Sequence, residues 1–113
     1  IGGVNVLAAQ VDVAGVDNLR EMADWFRDKV GSGTAVLATI SDGKPLLVAT
    51  VTDDLIKRGL KAGDLVREVA KIVGGGGGGR PNMAQAGGRD PEKLPEALAV
   101  VPALVQETMA KTK

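Results

Sequence analysis

The chain has 113 residues, of which 44% are hydrophobic and 25% charged, and its fourteen basic and fourteen acidic side chains give a net charge of zero. This is the size and composition of one globular domain with a hydrophobic core. The absence of cysteine and histidine excludes disulfides, thiolate chemistry, Cys/His zinc sites and histidine catalysis. Trp25 and Phe26 are the only aromatic residues, which is too few for a platform that stacks bases.

The first two predicted elements are a strand and a helix. Val4–Val11 is a valine-rich run of strand length, and Asp17 is placed to cap a helix that ends before Gly31. One face of this helix is apolar and consists of Leu19, Met22, Ala23, Phe26 and Val30. Trp25 lies beside this stripe, so we expect it in the core or at its edge rather than on a recognition surface.

Two β-rich runs follow, over 34–40 and 46–51, and they predict a hairpin. Asp42 and Gly43 lie between the runs and are a turn signal, here in a loop expected to be longer than two residues. Because a helix separates the first strand from this hairpin, we expect that strand to pair in parallel with one of the hairpin strands.

Two helices are predicted next. Asp53 and Asp54 stand at the start of a short helix that ends at Leu60, and we interpret these carboxylates as a helix N-terminus rather than as a catalytic pair. The second helix starts at Asp64, carries an apolar face and ends at Gly74.

The C-terminal part is predicted to be helical. Residues 83–86 fit either a helical turn or a short strand. Asp90 is placed to cap a helix whose first residue is Pro91 and whose apolar pattern runs over 94–110. Pro102 in its interior predicts a kink or a split, and 111–113 are expected to fray. Together the elements predict an α/β (α+β) fold, with a mixed sheet of about 3–5 strands, helices packed on it and a C-terminal helix kinked at a proline.

The most unusual stretch runs from Gly74 to Arg89 and reads GGGGGGRPNMAQAGGR. Six consecutive glycines indicate the close approach of a ligand or of another backbone, or a set of positive φ angles. The run follows a helix and is followed by Arg80 and Pro81, so it fits neither the dinucleotide fingerprint nor the phosphate-binding loop. Bare amides beside guanidinium groups suit phosphate and sugar oxygens.

The net charge of zero conceals two oppositely charged segments. Residues 1–54 contain four basic and eight acidic side chains, whereas 55–89 contain seven basic and two acidic ones. A local basic patch attracts polyanions even on a neutral domain. The alternative for Lys57, Lys61 and Lys71 is that they cover the solvated face of a helix.

The chain shows no targeting or membrane segment. No apolar run approaches the roughly 18 residues of a membrane span and no signal peptide is visible, so we expect no membrane partner and a cytoplasmic location. The chain begins at Ile1 rather than Met, from which we expect a piece of a longer protein. Residues 1–113 are predicted to form a single domain.

The stretch from Gly74 to Leu94, with its core Gly-Arg-Pro-x-x-Ala-Gln-Ala-Gly-Gly, resembles the C-terminal part of alanyl-tRNA synthetase. More broadly it is similar to the DHH-associated domain that also occurs in DHH-type phosphoesterases. The similarity includes VNVLAAQVDVAGVDNLREMAD and the hairpin, so it covers most of the chain. In the phosphoesterases the glycines are generally followed by His, whereas Arg80 stands here, which favours the synthetase branch.

This resemblance implies that the parent protein is an ATP-dependent alanine–tRNA ligase of protein biosynthesis. In the family the C-terminal domain holds the tRNA elbow and couples aminoacylation with editing, and in some members it contributes to dimers. The implied partners are tRNA (tRNA-Ala), the other domains of the parent synthetase and, in a homodimer, a second copy. No cofactor is expected in this domain, with ATP and zinc bound elsewhere in the parent, and the fragment alone is expected not to be an enzyme.

With the resemblance, the glycine stretch becomes a predicted tRNA-binding site with no catalytic residue and no metal ligand. Its predicted members are Gly76, Gly77, Gly78, Gly79, Arg80, Asn82, Gln85 and Arg89. Such contacts to phosphates, riboses or base edges need few aromatic rings. Lys57, Arg58 and Lys61 are expected to add a weaker, salt-sensitive attraction.

Two other interpretations stay open. The chain could be a structural or dimerisation module, which an exposed Leu/Val stripe over 94–109 would support. It could instead be the accessory nucleic-acid-binding domain of a DHH-type phosphoesterase, although the catalytic half of those enzymes, rich in aspartate and histidine, is absent from this sequence.

Overall fold

Five strands and five helices make up the computed structural model, which describes residues 5–12 and 15–111. The strands are β1 (Asn5–Gln10), β2 (Gly33–Ser41), β3 (Lys44–Val51), β4 (Gly76–Gly79) and β5 (Met83–Gly87). The helices are α1 (Val16–Lys29), α2 (Asp53–Lys57), α3 (Ala62–Ile72), α4 (Leu94–Ala99) and α5 (Val101–Lys111), with a 3₁₀ turn at Pro91–Lys93. The predicted start of the first strand at Val4 falls outside the described residues. Of the predicted fraying of 111–113, residues 112–113 also fall outside them, whereas Lys111 is the last residue of α5.

The strands form one mixed sheet in the order β1-β2-β3-β5-β4. The α1 crossover leads from β1 to β2, which pair in parallel with Asn5 opposite Gly33, and every other pair of neighbours is antiparallel. The expected parallel pairing of the first strand and the α/β (α+β) class with 3–5 strands are confirmed. The stretch 83–86, left open between a turn and a strand, belongs to β5.

The turn between β2 and β3 is shorter than the sequence led us to expect. Ser41 pairs with Lys44, so only Asp42 and Gly43 remain in the loop. Their φ angles are 53° and 76°, which is the left-handed pair of a type I′ turn. The expected longer loop is wrong because Asp-Gly tolerates both positive φ angles and lets the strands pair up to the turn.

One face of the sheet is covered by α1. Leu19 and Ala23 of the helix are fully buried against Leu37 and Val48 of the central strands. Side chains alternate between the two faces along a strand, so Gln85, which lies opposite Val48, is on this face as well. The α1 side of the sheet therefore passes from a small apolar core to a polar side chain as it approaches β5.

The other face carries the larger core, under α3, α4 and α5. It includes Val36, Ala38, Leu47, Ala49, Val51, Ala84 and Ala86 from the strands, and Val66, Val69, Leu94, Val101 and Val105 from the helices. Each of the larger side chains contributes about 1.5–3 kcal/mol when it leaves water. Most of the stability of the fold therefore comes from this side of the sheet.

Trp25 lies on the surface, with 64% of the residue exposed, so its predicted place in the core or at its edge is wrong. Ala23 faces the sheet, and a residue two positions later is turned about 200° around a helix. Met22, also predicted for the apolar face, is 38% exposed, whereas Phe26 is half-buried. The helix thus contacts the sheet through a narrower stripe than its sequence indicates.

Several predicted helix ends are displaced by a few residues. Gly15 rather than Asp17 is at the N-cap of α1, and α3 begins at Ala62 instead of Asp64. Both aspartates lie in the first turn of their helix, where a negative charge is favourable. The short helix stops at Lys57 rather than at residue 60, since Gly59 has a φ of 101°.

The predicted C-terminal helix is split at Val100 into α4 and α5. Pro102 is in the first turn of α5, where its missing N–H removes no helical hydrogen bond, so one of the two predicted effects of this proline is confirmed. The described members of the apolar stripe, Leu94, Leu98, Val101 and Val105, are buried against the sheet, and Leu104 is partly buried. Within residues 5–12 and 15–111, no helix has both the length and the apolar character to cross a bilayer.

Candidate nucleic-acid interface

The glycine run is a strand at the edge of the sheet. Gly76–Gly79 form β4, which pairs antiparallel with β5, and Arg80 N donates to Met83 O at 3.0 Å to close the hairpin. These glycines therefore belong to the sheet rather than to a connecting loop. Glycine has a low strand propensity by itself, and the strand exists because β5 on one side and α3 on the other hold it in place.

Alternate glycines of the run are required for close packing. A Cβ atom on Gly77 would overlap Gln85 O and lie 2.5 Å from Ala86 Cα, and one on Gly79 would lie 2.9 Å from Ala84 Cα. Gly79 also has a φ of 155°, which other residues rarely adopt. Of the reasons for the run that the sequence indicated, the approach of another backbone is thus present here.

Gly76 and Gly78 differ from their neighbours. A Cβ atom on either one would meet nothing within 4 Å, so space in the fold does not require glycine at these two positions. Gly78 lies opposite Gln85, whose side chain is on the α1 face of the sheet. The missing side chains leave this part of the hairpin surface as open backbone.

A groove of about 530 Å³ lies between α1 and the β4–β5 hairpin. From α1 it is lined by Arg20, Asp24 and Arg27, and from the hairpin by Gly78, Gly79, Arg80, Asn82, Met83, Ala84 and Gln85. Five predicted site residues are thus brought into one depression, although β4 itself is not a loop. We call this depression the α1–hairpin groove.

Arg27 and the main chain of Asn82 form a fixed corner of the α1–hairpin groove. Arg27 Nη2 is 3.1 Å from Asp24 Oδ1, and Arg27 Nη1 donates to Asn82 O at 3.5 Å. The same carbonyl accepts hydrogen bonds from Val51 N at 3.1 Å and from Thr50 Oγ1 at 3.0 Å. Arg27 is therefore partly neutralised and helps to hold the turn of the hairpin.

Arg20 and Arg80 are the groove's two uncompensated charges. Both are exposed, and in the part of the chain that the structure describes neither has an ion pair or a side-chain hydrogen bond. Exposed guanidinium groups without a carboxylate are available to an anionic ligand, and their flat fork matches phosphate oxygens.

Arg89 is separated from this groove. It follows β5 at the end of the hairpin away from Arg80, and its N–H donates to Val73 O at 2.7 Å. The five residues of β5 span about 17 Å between the two ends. Arg89 is exposed but does not line the groove, and Gly76 and Gly77 do not line it either.

The lysines of the basic segment are spread along the α2–α3 region. Lys57, Arg58 and Lys61 are exposed, and none of them lines the groove. Lys61 comes directly before Ala62, whose N–H donates to Pro81 O at 2.8 Å, so it is beside the hairpin turn.

The charges on α3 itself are largely paired. Arg67 contacts Asp64, and Lys71 Nζ is 2.7 Å from Glu68 Oε2. The hydrogen bond and the charge of Lys71 lower the pKa of the Glu68 carboxyl below its ordinary value of 4.5. The solvated-face interpretation of Lys71 fits its exposure and its ion pair on α3.

Sequence reasoning missed the α1 wall of the groove. Arg20, Asp24 and Arg27 recur at a spacing that puts them on one helix face, and this signal was available. What that face would meet depends on the strand order β3-β5-β4. In the described part of the chain, no three acidic, histidine or cysteine side chains converge as metal ligands.

Three comparisons with known proteins bear on this fold and groove. The model of the DHHA1 domain matches residues 3–107. The chain is 54% identical over 105 residues to an alanine–tRNA ligase of Roseiflexus sp. (strain RS-1) and 56% identical over 98 residues to one of Pelotomaculum thermopropionicum. These matches cover 93% and 87% of this chain but only 12% and 11% of the relatives, so the chain spans about an eighth of their length.

A solved structure matches the fold over nearly its whole length. It is the C-Ala domain from Aquifex aeolicus alanyl-tRNA synthetase, with a TM-score of 0.71 and 31% identity, and the match covers 94% of this chain and 88% of that one. The resemblance inferred from the glycine motif is confirmed by these matches. The chain belongs to the DHHA1 domain family and, within it, to the C-Ala domains of alanyl-tRNA synthetases.

Proposed function

We propose that this chain is a tRNA-binding C-terminal domain of an alanyl-tRNA synthetase and that it holds tRNA against the α1–hairpin groove. The observation that carries the proposal is the position of Arg80 and Gln85, which the family motif specifies, and of Asn82, which lies between them in sequence, because all three line one open depression. Lys61 beside the hairpin turn adds positive charge on the far side of β4. RNA is recognised largely by shape, phosphates and 2′-hydroxyls, which suits a groove without aromatic side chains.

The role in the longer protein follows from the relatives. We propose that the parent is a cytoplasmic, ATP-dependent alanine–tRNA ligase, that ATP and zinc bind in its other domains, and that this domain keeps tRNA-Ala at its elbow while the acceptor end moves between aminoacylation and editing. The fragment alone performs no chemistry in this proposal. The buried stripe of α4 and α5 offers no support for a dimer through that face.

The test is a titration of labelled tRNA-Ala with this chain at two salt concentrations. We expect saturable binding that weakens as the salt concentration rises, because Lys and Arg displace counterions from phosphates. Arg80→Ala should weaken binding about tenfold, since a hydrogen bond to a charged group is lost. Arg89→Ala is tested separately, because Arg89 lies outside the groove, and should have the smaller effect.

The matched control is Arg67→Ala. It also removes one exposed arginine from the basic segment, but Arg67 is paired with Asp64 on α3 and does not line the groove. Equal weakening by Arg80→Ala and Arg67→Ala would contradict a site at the groove. The absence of saturable tRNA binding by the native chain at low salt, together with a dimer in sedimentation, would favour the structural module instead.

A further inference from the structure

We infer that the α1–hairpin groove takes one stretch of RNA sugar–phosphate backbone, and that Arg20 on α1 binds its phosphates from the wall opposite Arg80. The inference rests on the proposed function and adds to it the ligand's chemical class and a binding residue outside the glycine motif. It also places one side of the binding site on the segment 1–54, which carries a net negative charge.

The charges of the groove support an anionic ligand. Its lining contains three guanidinium groups and one carboxylate. The carboxylate belongs to Asp24 and forms an ion pair with Arg27. Arg20 and Arg80 remain, one on each wall, and neither has a partner in the described part of the chain. Two unpaired guanidinium groups facing one depression fit phosphate groups, which accept bidentate hydrogen bonds from arginine.

The remaining lining indicates that the backbone of the RNA, rather than its bases, occupies the groove. No aromatic side chain lines it, so the stacking contact that single-stranded sites use to hold bases is missing. Gly78 leaves open space where a side chain would stand, so the β4 side of the groove is bare backbone that a ligand can approach closely. Contacts to phosphate and sugar fix position without reading sequence.

The groove has an acidic boundary at one end. Beyond Arg27 and Asn82 it meets a second depression, of about 660 Å³, that is lined by Asp28, Asp53 and Asp54. Asp54 is engaged, since it accepts hydrogen bonds from Ser32 Oγ and from Thr52 Oγ1, whereas Asp28 is exposed on α1. Carboxylates within a Debye length of about 8–10 Å repel phosphate, so the bound backbone stays on the Arg20 side of Arg27.

The experiment measures tRNA affinity for this chain as a function of salt in four forms: native, Arg20→Ala, Asp28→Asn and Arg67→Ala. Arg20→Ala should weaken binding about tenfold and reduce the slope of log affinity against log salt by about 0.7–0.9, as expected for one lost phosphate contact. Asp28→Asn should strengthen binding about twofold, because it removes a repulsive charge. Arg67→Ala should bind like the native chain, and thermal melts check that the exposed substitutions leave the fold intact.

A second readout tests the ligand class. Oligo(A) and oligo(U) of equal length should displace tRNA equally well if the groove holds backbone, and a strong preference for one base would overturn the inference. Native affinity in Arg20→Ala, with weak binding in Arg80→Ala, would also overturn it while leaving the proposed function in place. The absence of tRNA binding by the native chain would overturn both.

Discussion

Two β-hairpins lie side by side in the sheet, β2–β3 and β4–β5, and β3 pairs with β5 between them. The β2–β3 hairpin is closed by Asp42 and Gly43 and is buried on both faces over most of its length. The β4–β5 hairpin has the same antiparallel topology, yet all four residues of β4 are exposed glycines. One hairpin is therefore the centre of the core, and the other presents a surface.

The difference shows that one arrangement of strands serves two purposes through its side chains. In β2–β3 the two faces are filled by valine, leucine and alanine, which stabilise the domain. In β4 one set of glycines lets the strand lie close to Ala84 and Ala86, and the other set leaves the open surface beside the groove. β4 is the edge strand of the sheet, and α3 contacts it as well as β5 and β3.

The largest effect that separates the two hairpins is expected for Leu47→Ala in β3. Leu47 is fully buried in the larger core, so its removal leaves a cavity and should cost about 2–5 kcal/mol of unfolding free energy. The matched change in the other hairpin is Gln85→Ala, at an exposed position, which should stay within about 0.5 kcal/mol. Urea unfolding measures both, and equal losses would show that β5 belongs to the core as fully as β3 does.

A smaller effect is expected within β4, between two adjacent glycines. Gly77→Ala should destabilise the fold by about 1–3 kcal/mol, because the new methyl group would overlap Gln85 O and Ala86. Gly78→Ala should leave stability unchanged or raise it by about 0.4–1 kcal/mol, since the methyl group meets nothing within 4 Å. Thermal unfolding of the two variants tests the alternation, and similar melting temperatures would contradict it.

The order of the two effects should be reversed for tRNA binding, with Gly78→Ala weakening it more than Gly77→Ala. Gly78 lines the groove, so its methyl group takes up space that the backbone of the RNA would use. We expect Gly78→Ala to weaken binding and folded Gly77→Ala, measured below its melting temperature, to weaken it less. A Gly78→Ala variant with native affinity would mean that the RNA does not approach this side of β4.

The β2–β3 hairpin could be predicted from the sequence, and the β4–β5 hairpin could not. Asp42 and Gly43 between two apolar runs are a local hairpin signal, and β2 and β3 do pair on either side of these two residues. The glycine run has no periodicity and no side chains, so its strand state is decided by the neighbours that pack on it. The pattern of α1 likewise indicated its apolar face but not how narrow the contact with the sheet would be, and Trp25 was misplaced for that reason.

The candidate site divides in the same way. Arg80 and Gln85 could be named because they belong to a short motif, Asn82 because it lies between them in sequence, and all three line the groove. Arg89 belongs to the same stretch, but β5 carries it away from the turn. Arg20 is sixty residues from Arg80 in sequence, and only the order of the strands brings the two arginines to one groove.

The smallest expected effect is on stability, and it concerns an ion pair on α3. The charges of α3 are largely paired with each other, whereas Arg20 and Arg80 in the groove are unpaired among the residues that the structure describes. Lys71 lowers the pKa of Glu68 in the folded chain, first through a hydrogen bond and then through its charge. A carboxyl whose pKa is lowered by folding stabilises the fold above its unfolded pKa, near 4.5, and this contribution is lost as the pH falls through the lower, folded value. Glu68→Gln should therefore lower the melting temperature slightly at pH 7, with the difference shrinking as the pH falls below 4.5 and the carboxyl becomes protonated.

The same variant separates stability from binding. Glu68 is exposed and outside the groove, so at pH 7 Glu68→Gln should bind tRNA as the native chain does, whereas Arg20→Ala should lose affinity without a change in melting temperature. One variant should change stability but not binding, and the other binding but not stability. The reason is that the charge of Glu68 is paired with Lys71 within the domain, whereas the charge of Arg20 has no partner in the described part of it. If Glu68→Gln altered the affinity as much as Arg20→Ala, the overall charge of the domain, rather than the groove, would control RNA binding.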